Sequence, residues 1–244
     1  MMEEQQSNQI ATPSSRDLKK QYHEQKQGQR KTLRTVKWGA LVLIIAGLGL
    51  WGWMQYSKSA EKNKEEVGGA TLTSDERAKG RANAPVTVIE YADFQCPACA
   101  AWHPLVGQLL REFPDDVQFV YRYFPLTSIH ANAFPTAQAA EAANRREKFW
   151  EMYDVLYQKQ TEWKDSADIQ NLLKNYASQI GLDTDQFTRD MEDKSINDKI
   201  KADLESGNRA KVDHTPTFIL NGEMIDNPGN YNEFRDLIIA ARGK

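Results

Sequence analysis

Hydrophobic and polar positions divide the chain into stretches of different period. From Trp38 to Ser57 no charged residue occurs over 20 positions, and WGALVLIIAGLGLWGWM is almost wholly apolar. As a helix this run reaches about 30 Å, the hydrocarbon thickness of a bilayer. A membrane-spanning helix is therefore predicted over 38–57, with Trp38, Trp51 and Trp53 placed as interfacial anchors. VTVIEYADF, from Val86, is apolar on both faces apart from Glu90, the pattern of a strand in the middle of a sheet. Cys99, Trp102, Leu105, Val106, Leu109, Leu110 and Phe113 then recur at steps of three and four, predicting a helix that begins at the cysteines. Pro97 suits its first turn, and Pro104 is expected to kink it.

VQFVYRYF, 117–124, predicts a second strand. From about 128 to 207 only helical spacing occurs: the alanine-rich 136–145, then Phe149/Met152/Tyr153/Leu156/Tyr157, Leu172/Leu173/Tyr176/Ile180, Phe187/Met191 and Ile196/Ile200/Leu204. TPTFILNGEMID reads as two short strands about an Asn221-Gly222 turn of type I′. Phe234, Leu237, Ile238 and Ala241 predict a closing amphipathic helix. The element order is β-α-β, a helical block, then β-β-α.

Charge adds an orientation. Lys19, Lys20, Lys26, Arg30, Lys31, Arg34 and Lys37 precede the apolar span, against Lys58, Lys62 and Lys64 in the 17 residues after it. Basic flanks are retained in the cytoplasm, so the N-terminus is predicted inside and the C-terminal domain outside. SKSA at 57–60 resembles a cleavage site, but the tryptophan-rich end and long leading segment favour an uncleaved signal-anchor. Residues 1–37 are polar and glutamine-rich and read as a disordered cytoplasmic tail, 58–74 as a linker, and 75–244 as the folded domain. Outside the tail, 23 basic residues stand against 30 acidic ones, a net of −7, which gives no reason to expect a nucleic-acid partner.

The only two cysteines, Cys96 and Cys99, stand in C-x-x-C spacing. A structural staple closing so small a loop would constrain the unfolded chain little. A metal site would need Cys96, Cys99 and His103, completed by His214 or His130, and no second paired ligand motif is present. A chaperone-like module binding unfolded chains through Phe94, Trp102, Tyr121 and Phe124 is a further alternative. A redox pair suits the pattern best. At a helix start, Cys96 meets unpaired backbone N–H groups and the positive end of the macrodipole, which favour a nucleophilic thiolate. Cys99 lies on the apolar stripe and reads as the buried resolving thiol.

VTVIEYADFQCPAC, followed by YRYFPL, by Phe149-Trp150 and by TPTFILNG, resembles the DsbA-like branch of the thioredoxin superfamily over about 75–244. The resemblance implies an α/β thioredoxin fold with an all-helical insertion at about 128–207, preceded here by the single transmembrane helix. It also implies thiol:disulfide exchange at Cys96 and Cys99 without cofactor or metal. The predicted location favours donation of disulfides to exported, cysteine-containing proteins from the bacterial cell membrane, with a membrane redox partner; a reductase or isomerase is the alternative. In such proteins the bond before the proline matching Pro216 is cis and lies against the cysteines. Thr215 and Pro216 are then expected to bind substrate backbone. Ala98 offers the thiolate no side-chain donor, which implies a milder oxidant than relatives with histidine there. His214 stands where glycine is common in the family and, when protonated, would favour the thiolate. Glu90 reads either as a carboxylate at a solvated strand edge or as a buried acid relaying protons for the thiols, and His103 as an ordinary helix histidine.

Overall fold

The computed structural model describes residues 75–243 together with Gly47, Gly49, Leu72 and Thr73. The chain divides into two units, Met1–Ala60 and Glu61–Lys244, and the sheet and the helices around it belong to the second. The tail expected at 1–37, the span expected at 38–57 and the linker expected at 58–74 lie outside the described residues, apart from Leu72, Thr73 and the helical Gly47 and Gly49. Among the described residues no helix is long and apolar enough to cross a membrane.

Five strands form one sheet in the order β1-β3-β2-β4-β5: β1 Arg77–Gly80, β2 Val86–Ala92, β3 Val117–Tyr123, β4 Thr217–Leu220 and β5 Glu223–Ile225. Only β2 and β3 run parallel, and the crossover between them is helix α1, Pro97–Glu112. The continuous apolar runs occupy the centre, where helices cover both faces of a strand. Register sets Glu90 between Tyr121 of β3 and Phe218 of β4. Asn221 (φ 46°) and Gly222 (φ 85°) both adopt positive φ, as a type I′ hairpin requires. The Asn221 backbone and side chain also bond Thr87 on β2, at 2.9 and 2.7 Å, which locks the hairpin to the sheet.

The inner face of α1 buries Cys99, Val106 and Leu109. Trp102 meets the rings of Phe218 and Phe234 edge-on at 5.4 Å each, joining α1 to β4 and to the closing helix. The helix runs on through Pro104 to Glu112. Between β3 and β4 lie α2 Ala133–Asn144, α3 Phe149–Gln158, the single turn α4 Gln160–Trp163, α5 Ile169–Gln179, α6 Thr184–Met191 and α7 Lys194–Arg209; α8 Tyr231–Arg242 closes the chain. Small side chains at Ala137, Ala139, Ala140, Ala142 and Ala143 are buried, so α2 packs closely between α3, α6 and α7.

Strand β1 has no counterpart among the predicted elements. RAKG has one inward residue and no alternation of apolar positions, so it carries no strand signal. Its anchor is ionic: Arg77 reaches Glu141 on α2, whose carboxylate also accepts the Tyr123 hydroxyl at 2.9 Å.

Gly207 on α7 marks the closest approach of helix to sheet. A Cβ there would lie 2.6 Å from the Phe124 ring and 3.1 Å from Tyr91, both buried. Alanine would gain about 1 kcal/mol of helix propensity but would overpack the site at about 1–3 kcal/mol. Gly207→Ala is accordingly expected to lower Tm by a few degrees in thermal unfolding followed by circular dichroism, where propensity alone would raise it.

Candidate active site

Strand β2 ends at Ala92, and Asp93–Gln95 turn the chain so that Cys96 becomes the N-cap of α1 and Pro97 its first residue. The turn is held by polar side chains. Asp93 accepts the Cys96 N–H on its carbonyl (3.0 Å) and the Gln95 N–H on Oδ1 (2.7 Å). Its Oδ2 accepts Leu126 N–H at 2.9 Å and lies 2.7 Å from His130 Nδ1. Gln95 accepts from Asn132 N–H and donates to the Lys164 carbonyl. From α4, Gln160 Nε2 donates to the carbonyls of Phe94 (2.7 Å) and Cys96 (2.9 Å). None of Asp93, Gln95, Asn132 or Gln160 stands out in the sequence. Their only signal is polarity at positions that become buried, and burial is not readable until the helical block has a place.

Both cysteines are free thiols, 7% and 1% exposed. Cys96 Sγ lies 3.3 Å from the Thr215 carbonyl, at the end of a cis Thr215–Pro216 bond that leads into β4, as the resemblance implied. The Thr215 hydroxyl is buried without a partner while Cys96 is a thiol; ionised, Cys96 offers it one. Cys96 is pushed down to about 5, first by the hydrogen bond from the Cys99 thiol, then by the Thr215 hydroxyl and the backbone N–H groups of Cys99 and Ala98, against the cost of burial. Cys99 is pushed well up, mainly by burial, then by the hydrogen bond it gives Cys96 and the charges of Glu90 and Cys96. Glu90 rises to about 8, through burial and then the Cys96 charge.

Glu90 is 1% exposed, so the reading of a solvated strand edge is corrected: β4 pairs on the side of β2 that such an edge would have left open. Cys96, Cys99, Glu90, Thr215 and Pro216 are thus assembled at one end of the central strands. Pro97 and Ala98 are exposed beside Cys96. His214 points outward, 2.7 Å from Asp213 and 3.3 Å from the Asn227 amide, and pairs with neither cysteine.

The histidines offered for a metal site are each committed to a carboxylate: His103 to Asp154 at 2.8 Å, His130 to Asp93, His214 to Asp213. Among the described residues no group of three or more His, Cys, Asp or Glu side chains stands close enough to hold a metal ion. The aromatic surface considered for a chaperone module is also corrected. Phe94, Tyr121 and Phe124 are buried and Trp102 is half-buried, because each fills space between α1 or the insertion and the sheet.

A low-pKa thiol at a helix start, a protonated partner one turn behind it and a thioredoxin-type sheet make a site suited to thiol–disulfide exchange. The family described as Thioredoxin matches residues 72–240, and the chain belongs to it. It is 30% identical over 193 residues to the probable disulfide bond formation protein D of Bacillus anthracis, covering 76% of this chain and 88% of that one. It is also 37% identical over 223 residues to a Na(+)/H(+) antiporter, NhaA 3, of Salinispora tropica, covering 86% of this chain but 33% of the antiporter. The chain therefore spans about a third of that relative's length. Solved structures with the same fold include oxidised BdbD from Bacillus subtilis (TM-score 0.63, 20% identity, 69% of this chain and 94% of that one) and alpha-DsbA1 from Wolbachia pipientis (TM-score 0.65, 20%, 73% and 96%).

Because the folded pKa of Glu90 lies above its unfolded value, its contribution to stability is complete below pH 4.5 and is lost as the pH rises through 8. Glu90→Gln lacks this loss. Unfolding temperatures measured across pH should therefore diverge, the variant gaining on the native protein from pH 4.5 and levelling off above 8. A difference that stays flat over that window would mean that Glu90 ionises normally.

Proposed function

We propose that the chain is a membrane-anchored, extracytoplasmic oxidant that donates the Cys96–Cys99 disulfide to folding exported proteins. The observation carrying this reading is the split between the two thiols, one held as thiolate and the other as thiol. A substrate thiolate attacks Cys96 Sγ, the Cys96–Cys99 bond breaks, and its electron pair goes to Cys99, which takes a proton. A second substrate thiolate attacks the substrate sulfur of the mixed disulfide, and Cys96 leaves as thiolate. Two substrate thiols become one disulfide, and the protein is left with the Cys96 thiolate and the Cys99 thiol. A membrane redox partner then removes the electron pair.

Stabilising the Cys96 thiolate stabilises the reduced protein, which makes the disulfide the stronger oxidant. At pH 7 a depression from 9.0 to about 5 stabilises the reduced form about 100-fold, a potential raised by roughly 60 mV. Cys96 is the attacked sulfur because it is the more exposed of the pair, and its low pKa makes it the better leaving group when the mixed disulfide is released to substrate; Cys99 resolves. Thr215 and Pro216 stand at the entry to β4 beside Cys96, where an extended substrate backbone would pair by strand addition. Pro97 and Ala98 face the same approach, and His214 borders it. The name of the Bacillus anthracis relative supports disulfide formation. The basic flank before residue 38 supports a cytoplasmic N-terminus and an external domain. Ion exchange is not carried over from the antiporters, since two thirds of such a relative has no counterpart in this chain.

Equilibration with glutathione buffers is expected to give a potential between about −200 and −120 mV, well above thioredoxin's −270 mV or so. In the same preparation, the rate of alkylation of reduced Cys96 should rise through an apparent pKa of about 5, and Cys96→Ala should abolish exchange. A potential at or below that of thioredoxin would replace the oxidant by a reductase.

A further inference from the structure

Disulfide exchange at this site must move a proton as well as electrons. Cys99 gains a proton when the disulfide is reduced and loses one when it is reformed, yet Cys99 and its buried neighbour Glu90 are each 1% exposed. A proton reaching either must cross protein. Besides the Thr215 hydroxyl beside Cys96, two buried oxygens in this region have no hydrogen-bond partner: Glu90 Oε2 and the hydroxyl of Tyr153, a residue 5% exposed on α3. The Tyr153 ring lies 5.1 Å from that of His103, centroid to centroid, and 5.0 and 5.4 Å from those of Tyr157 and Tyr121. His103 Nε2 is 2.8 Å from Asp154 Oδ1. Both His103 and Asp154 line a groove of about 550 Å³ between α1 and α3, whose rim also carries Lys79 and Arg111. That groove is built from the outer parts of α1 and α3 and includes neither cysteine nor the Thr215–Pro216 turn.

We propose that the Tyr153 hydroxyl, together with the His103–Asp154 pair, is the positioning group that passes the proton of Cys99 and Glu90 between the buried interior and this groove. The relay rests on the proposed thiol–disulfide exchange and adds the proton's route. On reduction, the electron pair of the broken sulfur–sulfur bond goes to Cys99 Sγ, which takes the proton of the Glu90 carboxyl. Tyr153 then gives its hydroxyl proton to Glu90 and takes another from His103, which is recharged from water in the groove. On reoxidation each transfer reverses. The charges and titrating groups around Tyr153 come from every element packed on it: Glu90 from β2, Cys99 and His103 from α1, Tyr121 from β3, Asp154 and Tyr157 from α3. Burial and the charges of Glu90, Asp154 and Cys99, in that order, all push the Tyr153 phenol up, so it serves as a neutral relay that is never itself ionised.

The test separates electrons from protons. The oxidised full chain is mixed with excess glutathione near pH 7, while disulfide reduction is followed by quenched thiol counting and the net proton change by an indicator dye in weak buffer; two glutathione thiols release two protons per disulfide, and Cys99 takes one back. In the native protein, a net release of one proton per disulfide should keep pace with reduction. In Tyr153→Phe, which keeps the ring and removes only the oxygen, first-turnover reduction should stay within about twofold while a second proton is released transiently and taken back about tenfold more slowly. His103→Gln, altered at the groove surface, should lag in the same direction and carries the test if Tyr153→Phe does not fold. A merely structural role would slow both signals together. A net release that stays at one proton per disulfide throughout reduction in a folded variant overturns the relay. A native potential close to thioredoxin's would sink the oxidant reading alone, since the proton must cross in either direction, and a native disulfide that resists reduction overturns both.

Discussion

One buried region can hold one negative charge, and three acidic groups compete for it. Cys96, Cys99 and Glu90 lie between the centre of the sheet and the start of α1, out of water. Taking any of them ionised into such a place costs several kcal/mol unless donors meet the charge. Most of the donors are at Cys96, namely the Cys99 thiol, the Thr215 hydroxyl and the N–H groups of the first helical turn, while Cys99 has only the Asp93 backbone. Cys96 therefore takes the charge, and its charge in turn helps keep Cys99 and Glu90 protonated. The asymmetry on which disulfide exchange depends is a property of the group of three.

Holding that arrangement requires a loop that does not relax. A displaced Cys96 would lose short-range hydrogen bonds while keeping the cost of burial, so small movements would erase most of the stabilisation. The clamp comes from two distant parts of the chain. Asp93 and Gln95 tie the loop to the β3–α2 connection through Leu126, His130 and Asn132, and Gln160 reaches in from α4 to the Phe94 and Cys96 carbonyls. The helical insertion is thus part of the site. It supplies Gln160 to the front of the loop and the Tyr153–Tyr157 aromatic layer behind it, where Phe94 stacks on Tyr121 at 5.0 Å.

Periodicity carries the central architecture because the central elements are governed by burial. β2, β3, α1 and the Asn221-Gly222 hairpin each announce themselves by apolar spacing or by a residue pair with one favoured turn. β1 is silent because its place is fixed by the Arg77–Glu141 ion pair and by the free edge of β3, neither of which leaves a local pattern. The same limit divides the site. Cys96 and Cys99 are legible from spacing, and Thr215–Pro216 from resemblance. Glu90 is legible as an oddity in an apolar run, but whether it meets water depends on the pairing of β4, 127 residues further on. Gln160 and Asp93 look like any loop polar residue until the elements they bridge are in place. His103 lies at an ordinary helix position, and its interest arises from Asp154 on another helix.

The two sides of α1 divide the labour of the reaction. Cys96, Pro97 and Ala98 open toward a surface that a polypeptide can reach, beside a turn whose backbone can pair with it. Glu90 and Cys99 open toward nothing, and the aromatic layer of α3 separates them from solvent. Keeping water out is what raises Cys99 and Glu90, and that elevation keeps Cys99 a thiol while Cys96 is the thiolate. A wetter interior would let Glu90 ionise and would weaken the contrast between the two sulfurs. A sealed one would strand the proton that each redox cycle must move. A phenol that can both accept and donate without ionising, placed between the sealed acid and an open histidine–aspartate pair, satisfies both demands, since it conducts protons without admitting water.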